Sequence, residues 1–291
     1  MYKMAIFRHS LSHYSVQAVR IGNGDCLYFQ IMELLLRLFL LSYFWTFVTS
    51  SSAQRPTVYN GTYEVTSQSK TSSSFMNFAY RLCLNSVPAH VYATAKPCSI
   101  SKSHEFKVTV LQILRGNVVV MVTRTDQASG WDALDLIITW TLYIGNGTGY
   151  EQHFIWLPYT TGNYAWNKQV TSDFCKSLDG KLVDIENKAM YDVVYKYMES
   201  SFTSSFDNVQ SWLAMTYDRN VTITQSNGQP GYNGDWLALG GYPKAGYASW
   251  TSVGIRVGIQ PHTLGNGGMW TWYAMSSADR LAPLCAYNAA H

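Results

Sequence analysis

The chain of 291 residues is 47% hydrophobic and only 13% charged, which excludes a disordered polymer and leaves enough apolar side chain for one large domain or two of ordinary size. Its net charge of +3 is scattered without a basic cluster, so the electrostatic footprint of a nucleic-acid binder is missing. Aromatic residues reach 15%, with 21 Tyr and 10 Trp, a supply that suits cores and recognition surfaces alike.

In chain order the first signal is a leader. Residues 32–53 carry the charged, apolar and small-residue zones of a secretory signal. Glu33 and Arg37 punctuate a Leu-rich start, residues 38–48 are almost wholly apolar, and Ser51, Ser52 and Ala53 supply the small side chains a signal peptidase inspects. The apolar run is shorter than the roughly 20 residues a spanning helix needs. On this reading Met32 is the start, residues 1–31 are a gene-model extension, 32–53 are a signal peptide, and the mature chain is secreted. The rival reading keeps Met1 and extends the apolar stretch back to Leu27, giving a type II membrane protein with an uncleaved anchor. It places Gln30, Glu33 and Arg37 in the bilayer, at ~2–3 kcal/mol each near its centre. Only in that case is the membrane a partner.

Cleavage after Ala53 removes Cys26 and leaves Cys83, Cys98, Cys175 and Cys285, an even number as an oxidising compartment favours. Three sequons follow the cleavage point, at Asn60, Asn146 and Asn220, and point to a glycoprotein.

Residues 54–150 alternate in the manner of strands and are expected to form a β-rich domain of no recognised family. Residues 106–114 and 118–123, joined by Arg115, Gly116 and Asn117, read as a hairpin. A second hairpin is expected from 134–143 through Gly145, Asn146 and Gly147 to 152–157. The Ser- and Thr-rich stretch 66–74 reads as a loop. Cys83 and Cys98 are near enough in sequence to staple a local loop, worth ~3 kcal/mol by chain entropy.

From about Trp156 the period changes. Val170, Phe174 and Leu178 fall on one helical stripe, with Gly180 placed for a C-cap. Leu182, Val183 and Ile185 read as a short strand or buried turn, and Met190, Val193, Val194 and Tyr197 restore helical spacing. Beyond Trp212 come short Gly-, Asn- and aromatic-rich segments, closing on a strand-like Leu284, Cys285, Ala286, Tyr287. Two helices, a loop-dominated middle and a terminal strand imply an α+β domain over 151–291.

These residues resemble a family. The run from Cys175 through Leu178, Gly180 and Leu182-Val183-Asp184-Ile185 is similar to the first-helix signature of C-type-lectin-like domains. Trp212-Leu213-Ala214-Met215 resembles the core "Trp-Ile-Gly-Leu" strand, and Ser226-Asn227-Gly228-Gln229-Pro230 with Trp236 resembles the "Ser-Asp-Gly-Ser-Pro … Trp" stretch. Trp272 precedes Cys285 as the family's last Trp precedes its last Cys. The resemblance covers about 154–291. It implies a C-type-lectin-like fold and a Cys175–Cys285 bridge, which leaves Cys83 to pair with Cys98.

The departures from the family pattern point away from calcium. Where sugar-binding members carry "Glu-Pro-Asn", this chain has Tyr242, Pro243 and Lys244; where they carry "Trp-Asn-Asp", it has Trp272, Tyr273 and Ala274. Hard calcium needs several oxygen ligands, and a phenol, an ammonium and a methyl group do not supply them. The family's second disulfide is missing as well, since no Cys lies between 176 and 284. No metal and no cofactor are expected.

Catalytic motifs are also missing. His104, His153 and His262 have no carboxylate or Cys at metal-ligand spacing, and Asp184 with Glu186 reads as the acidic start of a helix. No nucleophile elbow, phosphate loop or zinc-protease motif occurs, so no enzyme is expected. Trp236 and Trp272 fall on core positions of the resembled family. Tyr242, Lys244, Tyr247, Trp250 and Tyr273 are the candidate ligand-binding residues, as an aromatic face for a glycan ring or a protein partner. The function expected is an extracellular binding module, acting on a glycan or protein without calcium; a secreted structural or surface-coat component is the alternative.

Overall fold

Valine alternation sets the first sheet. In β5 (Asn117–Arg124) the side chains of Val118, Val120 and Val122 are fully buried while Val119, Met121 and Thr123 face the other way, half-exposed. The structure, a computed structural model, describes residues 53–99, 103–159, 167–201, 208–218, 222–237, 251–258, 267–272 and 281–289. β5 is the middle strand of a three-stranded antiparallel sheet between β2 (Ser73–Ala79) and β4 (Phe106–Ile113). The expected 106–123 hairpin is β4–β5, closed by Leu114 N–H on Asn117 O at 2.9 Å.

β6 (Trp131–Ile144) plays the same central part in a second sheet, between β1 (Thr57–Ser69) and β3 (His90–Pro97). Its inward residues Leu134, Leu136, Ile138, Trp140 and Leu142 share one core with Phe78, Val91, Val118, Val120 and Val122, so the two sheets pack face to face. Two expectations need correction here. β6 does not return along 152–157. The turn after β6 instead leads into β7 (Thr148–Tyr150), which hairpins with β8 (His153–Trp156) through Glu151, a left-handed residue at φ 47°. The 66–74 loop is also mostly strand: β1 runs to Ser69 and β2 starts at Ser73.

The C-terminal half adds two four-stranded antiparallel sheets and two helices. One sheet has the order β7-β8-β14-β9, with β9 at Lys181–Leu182 and β14 at Cys285–Asn288. The other is β11-β10-β12-β13, comprising Ile223–Thr224, Asn208–Tyr217, Ser252–Gly258 and Gly268–Trp272. Helix α1 (Lys168–Ser177) starts on Asn167, whose side chain accepts the Val170 N–H at 2.9 Å. It buries Thr171 and Cys175, whereas Val170 is 46% exposed, so the expected Val170 stripe is rotated by about one residue. Cys175 must face inward to bond Cys285. The left-handed position after α1 is filled by Asp179 at φ 59°, in a Schellman arrangement with Gly180 N–H on Cys175 O and Asp179 N–H on Lys176 O. Gly180 is small for another reason: a Cβ there would lie 2.4 Å from the Trp156 ring.

Helix α2 (Lys188–Ser201) is capped by Asn187, which accepts the Met190 N–H at 3.0 Å, and buries Met190, Tyr191, Val194, Tyr197 and Met198. With Ile155, Val183, Leu213, Met215, Val253, Ile255 and Met269 these make the second core. A third, aromatic cluster joins strands of both halves: Tyr143 stacks on Phe154 at 4.7 Å and Trp156 on Tyr287 at 4.5 Å, beside Cys175, Trp212 and Cys285. Residues Ser51–His291 form one compact unit.

The described residues therefore hold fourteen strands and two helices. This overturns the expected α+β class with a C-type-lectin-like layout: the described residues are mostly β, in four antiparallel sheets. The loop-like segments past Trp212 do not stay loops, because Ser252–Gly258 and Gly268–Trp272 pair in register with β10 and with each other.

The Cys175–Cys285 bond is formed and buried, tying α1 to β14 across a separation of 110 residues. The Cys83–Cys98 pair is not: Cys98 is a free, exposed thiol while Cys83 is disulfide-bonded, so the four cysteines expected to remain after cleavage at Ala53 do not all pair among themselves. Geometry explains it. β3 carries the chain ~26 Å beyond His90 before it reaches Cys98, and only a fully extended return from Cys83 could offset that distance.

Candidate functional site

An open cleft of about 300 Å³ lies between one face of α2 and the loop that follows β11. Its lining is Tyr191, Asp192, Tyr195, Asp235, Trp236 and Gly267. The helix supplies three of these because residues 191 and 195 stand one turn apart on one face, with Asp192 beside them. Tyr191 and Tyr195 rings are 5.7 Å apart, and Tyr232 packs on Tyr191 at the same separation.

The loop wall is held by specific bonds. Asp235 takes left-handed backbone at φ 49°, its carbonyl accepts the Met269 N–H at 2.8 Å, and Leu237 N–H returns to Met269 O at 2.8 Å. The Tyr232 hydroxyl donates to Asp235 Oδ2 at 2.5 Å, and the Trp236 indole N–H donates to Asn233 Oδ1 at 3.0 Å. The floor needs glycine: a Cβ on Gly267 would lie 1.9 Å from the Tyr195 hydroxyl.

Charge at the cleft is arranged around one ammonium. Lys188 Nζ donates to Asp192 Oδ1, lies 3.4 Å from Asp235 Oδ2, and sits 5.3 Å from the Tyr191 ring centroid. The bond to Asp192 raises the lysine's pKa and keeps it charged. Asp192 Oδ2 and Asp235 Oδ1 accept no hydrogen bond among the described residues. Tyr191 is only 5% exposed, and its hydroxyl has no bonding partner among the described residues. Burial, with Asp235 next in effect, pushes that phenol well above its ordinary range, so it keeps its proton. Burial and the Asp235 bond likewise push Tyr232 up to about 12. The cleft thus offers the rings of Tyr195 and Trp236, two open carboxylate oxygens and the protonated Tyr191 hydroxyl.

Tyr242, Lys244, Tyr247, Trp250 and Tyr273 fall outside the described residues, as does Asn220. Asn60 is exposed on β1 and Asn146 is exposed in the turn after β6, so both sequons are open to solvent. Trp236, assigned to the core from sequence, is half-buried and lines the cleft. The helical part of the site had a readable signal in Lys188, Asp192 and Tyr195 at turn spacing; its meeting with Asp235 and Trp236 had none.

Other charged groups do structural work. Asp184 is buried, accepting Ser226 N–H at 2.9 Å, the Ser226 hydroxyl, and Lys181 Nζ at 3.2 Å, while Glu186 accepts from His153 Nε2 at 2.8 Å. The two acids therefore serve separate partners. Lys168 caps Ala214 O at 3.1 Å and Met215 O at 2.6 Å, where β10 slips register against β12, and burial lowers its pKa to about 8. Arg124 is buried, grips Asp126 through two nitrogens and donates to Gly130 O and His104 Nδ1 at 2.8 Å each, holding the Asp126 carboxyl far below its usual range. Among the described residues no three His, Cys, Asp or Glu side chains converge as a metal site. Nor, among them, is any helix long and apolar enough to cross a membrane.

No family model matches the chain, and no curated protein matches it. Among solved structures it is similar to the tailspike protein gp49 from Pseudomonas phage LKA1, at 16% identity over 32% of this chain, with a TM-score of 0.26. The match spans 15% of the tailspike chain, a likeness too slight to relate the two folds.

Proposed function

We propose that this chain is an extracellular, disulfide-stapled binding module that takes a saccharide in the cleft beside α2, without calcium and without catalysing a reaction. One observation carries the reading: the rings of Tyr195 and Trp236 stand beside the Tyr191 hydroxyl and two carboxylate oxygens, all three without a hydrogen-bond partner among the described residues. A pyranose has the complementary surface, an apolar C–H face edged by hydroxyls that donate to carboxylates. The leader-like segment 32–53, the exposed sequons at Asn60 and Asn146 and the buried Cys175–Cys285 bond support an extracellular setting.

The size of the cleft sets the strength. A hexose of about twelve heavy atoms, at ~0.3 kcal/mol per atom, gains ~4 kcal/mol, a millimolar dissociation constant. Useful avidity then comes from repeated sugars on a surface. The test is a glycan array with and without a chelator, run for the wild type and for Trp236→Ala. Binding that survives the chelator and drops about tenfold or more in the variant is expected. Full binding by Trp236→Ala would remove the cleft from the account.

A further inference from the structure

We infer that the cleft selects uncharged saccharides and rejects those carrying a carboxylate, such as uronate or sialate sugars; this rests on the saccharide reading above. Among the described residues, three carboxylates and two ammoniums stand at or beside the site. Asp192 and Asp235 line it, Glu199 lies near enough to Tyr195 to act on its hydroxyl, and Lys188 is the only cation paired within it among the described residues. That cation is already engaged by both lining carboxylates and by the Tyr191 ring. Lys196, beside Tyr195 and four residues beyond Asp192 on α2, is exposed and makes no ion pair among the described residues, so it offsets Glu199 and leaves the lining carboxylates in excess. The described groups at and beside the site therefore carry a net negative charge, three carboxylates against two ammoniums, for an incoming anion to meet.

The free groups point the same way. Asp192 Oδ2 and Asp235 Oδ1 can only accept, so they want ligand hydroxyls. The Tyr191 hydroxyl, without a hydrogen-bond partner among the described residues, supplies one donor for a ring or glycosidic oxygen. An anionic substituent would instead face a carboxylate at short range, where opposite charge is what binding requires.

The whole chain pulls the other way, because its net charge of +3 attracts anions at long range. Salt separates the two effects. Near 0.15 M the Debye length is about 8 Å, so the long-range pull is screened while contacts inside the cleft persist.

The experiment uses the full secreted chain and immobilised neutral oligosaccharides, each paired with its uronate or sialylated counterpart, in 0.15 M salt. The neutral member of each pair should bind at least about tenfold more tightly. In Asp192→Asn the ratio of neutral to anionic affinity should fall by about threefold or more, whatever happens to absolute affinity. Equal binding of both members by the wild type, lost in Trp236→Ala, overturns the charge selection and leaves the saccharide reading standing. An unchanged ratio in Asp192→Asn overturns the selection too. Failure of every sugar to bind overturns the saccharide reading and this inference with it.

Discussion

Opening the Cys175–Cys285 bond isolates how the long loop between α1 and β14 contributes to stability. The bond joins residues 110 apart, and both sulfurs are fully buried. In the chain-entropy treatment, a loop of that length restrains the unfolded chain by ~16 cal/mol/K, or about 5 kcal/mol near 25 °C. The compact unit from Ser51 has about 240 residues. At ~2.1 cal/mol/K per residue its unfolding entropy is ~0.5 kcal/mol/K, so the loss corresponds to a fall in Tm of about 10 °C. The perturbation is Cys175→Ala with Cys285→Ala, which removes the link without burying new polar atoms. Differential scanning fluorimetry and urea unfolding give Tm and free energy independently. Either single variant should cost nearly as much as the double, because each opens the same loop. A fall of under about 2 °C in the double variant would refute the loop-entropy argument.

Gly267→Val should push the Tyr195 ring aside, since even a Cβ would lie 1.9 Å from its hydroxyl, and should abolish saccharide binding while costing about 1–3 kcal/mol in thermal unfolding. His90 is stacked near Tyr143 and Phe154 and donates to Glu151 O at 2.8 Å; burial lowers its pKa. The fold therefore favours the neutral ring, so this contribution to stability is full above pH ~6.5 and is lost as pH falls through the lower folded value. His90→Gln should flatten the Tm–pH curve below pH ~6.5, and an unchanged slope there would count against it. Millimolar calcium should leave Tm unchanged, whereas a specific site filled at 100 times its dissociation constant would add ~2.7 kcal/mol.

Local pattern made the local pieces legible. The 3.6 spacing of Met190, Val194 and Tyr197 marks α2, and Arg115-Gly116-Asn117 marks the β4–β5 hairpin. The Cys175–Cys285 bridge came through a family resemblance, although the α+β layout that the resemblance implied is not the fold. What failed was long-range. β6 pairs with β1 from Thr57↔Ile144 to Ser69↔Trp131, and with β3 on its other edge, contacts for which the sequence offers no adjacent turn. A Gly-Asn-Gly turn looked like a simple hairpin and proved to be a passage between sheets. The cleft was half legible for the same reason: Tyr191, Asp192 and Tyr195 share a helix face, but Trp236 arrives from a segment some forty residues later.

Asp235 gives the strongest reason to treat that cleft as a built feature. Left-handed backbone costs a non-glycine residue roughly 1–2 kcal/mol, and glycine stands immediately before it at Gly234. A fold selected for stability alone would shift that glycine by one position. Here the strained residue keeps a carboxylate, fixed by Tyr232 and Lys188 on one oxygen and open on the other. Backbone bonds from Asp235 and Leu237 to Met269 hold the wall in place, so the open oxygen is positioned before any ligand arrives. Strain retained at a rigid wall, where it presents an unpaired acceptor to a cavity, is what preorganised recognition requires.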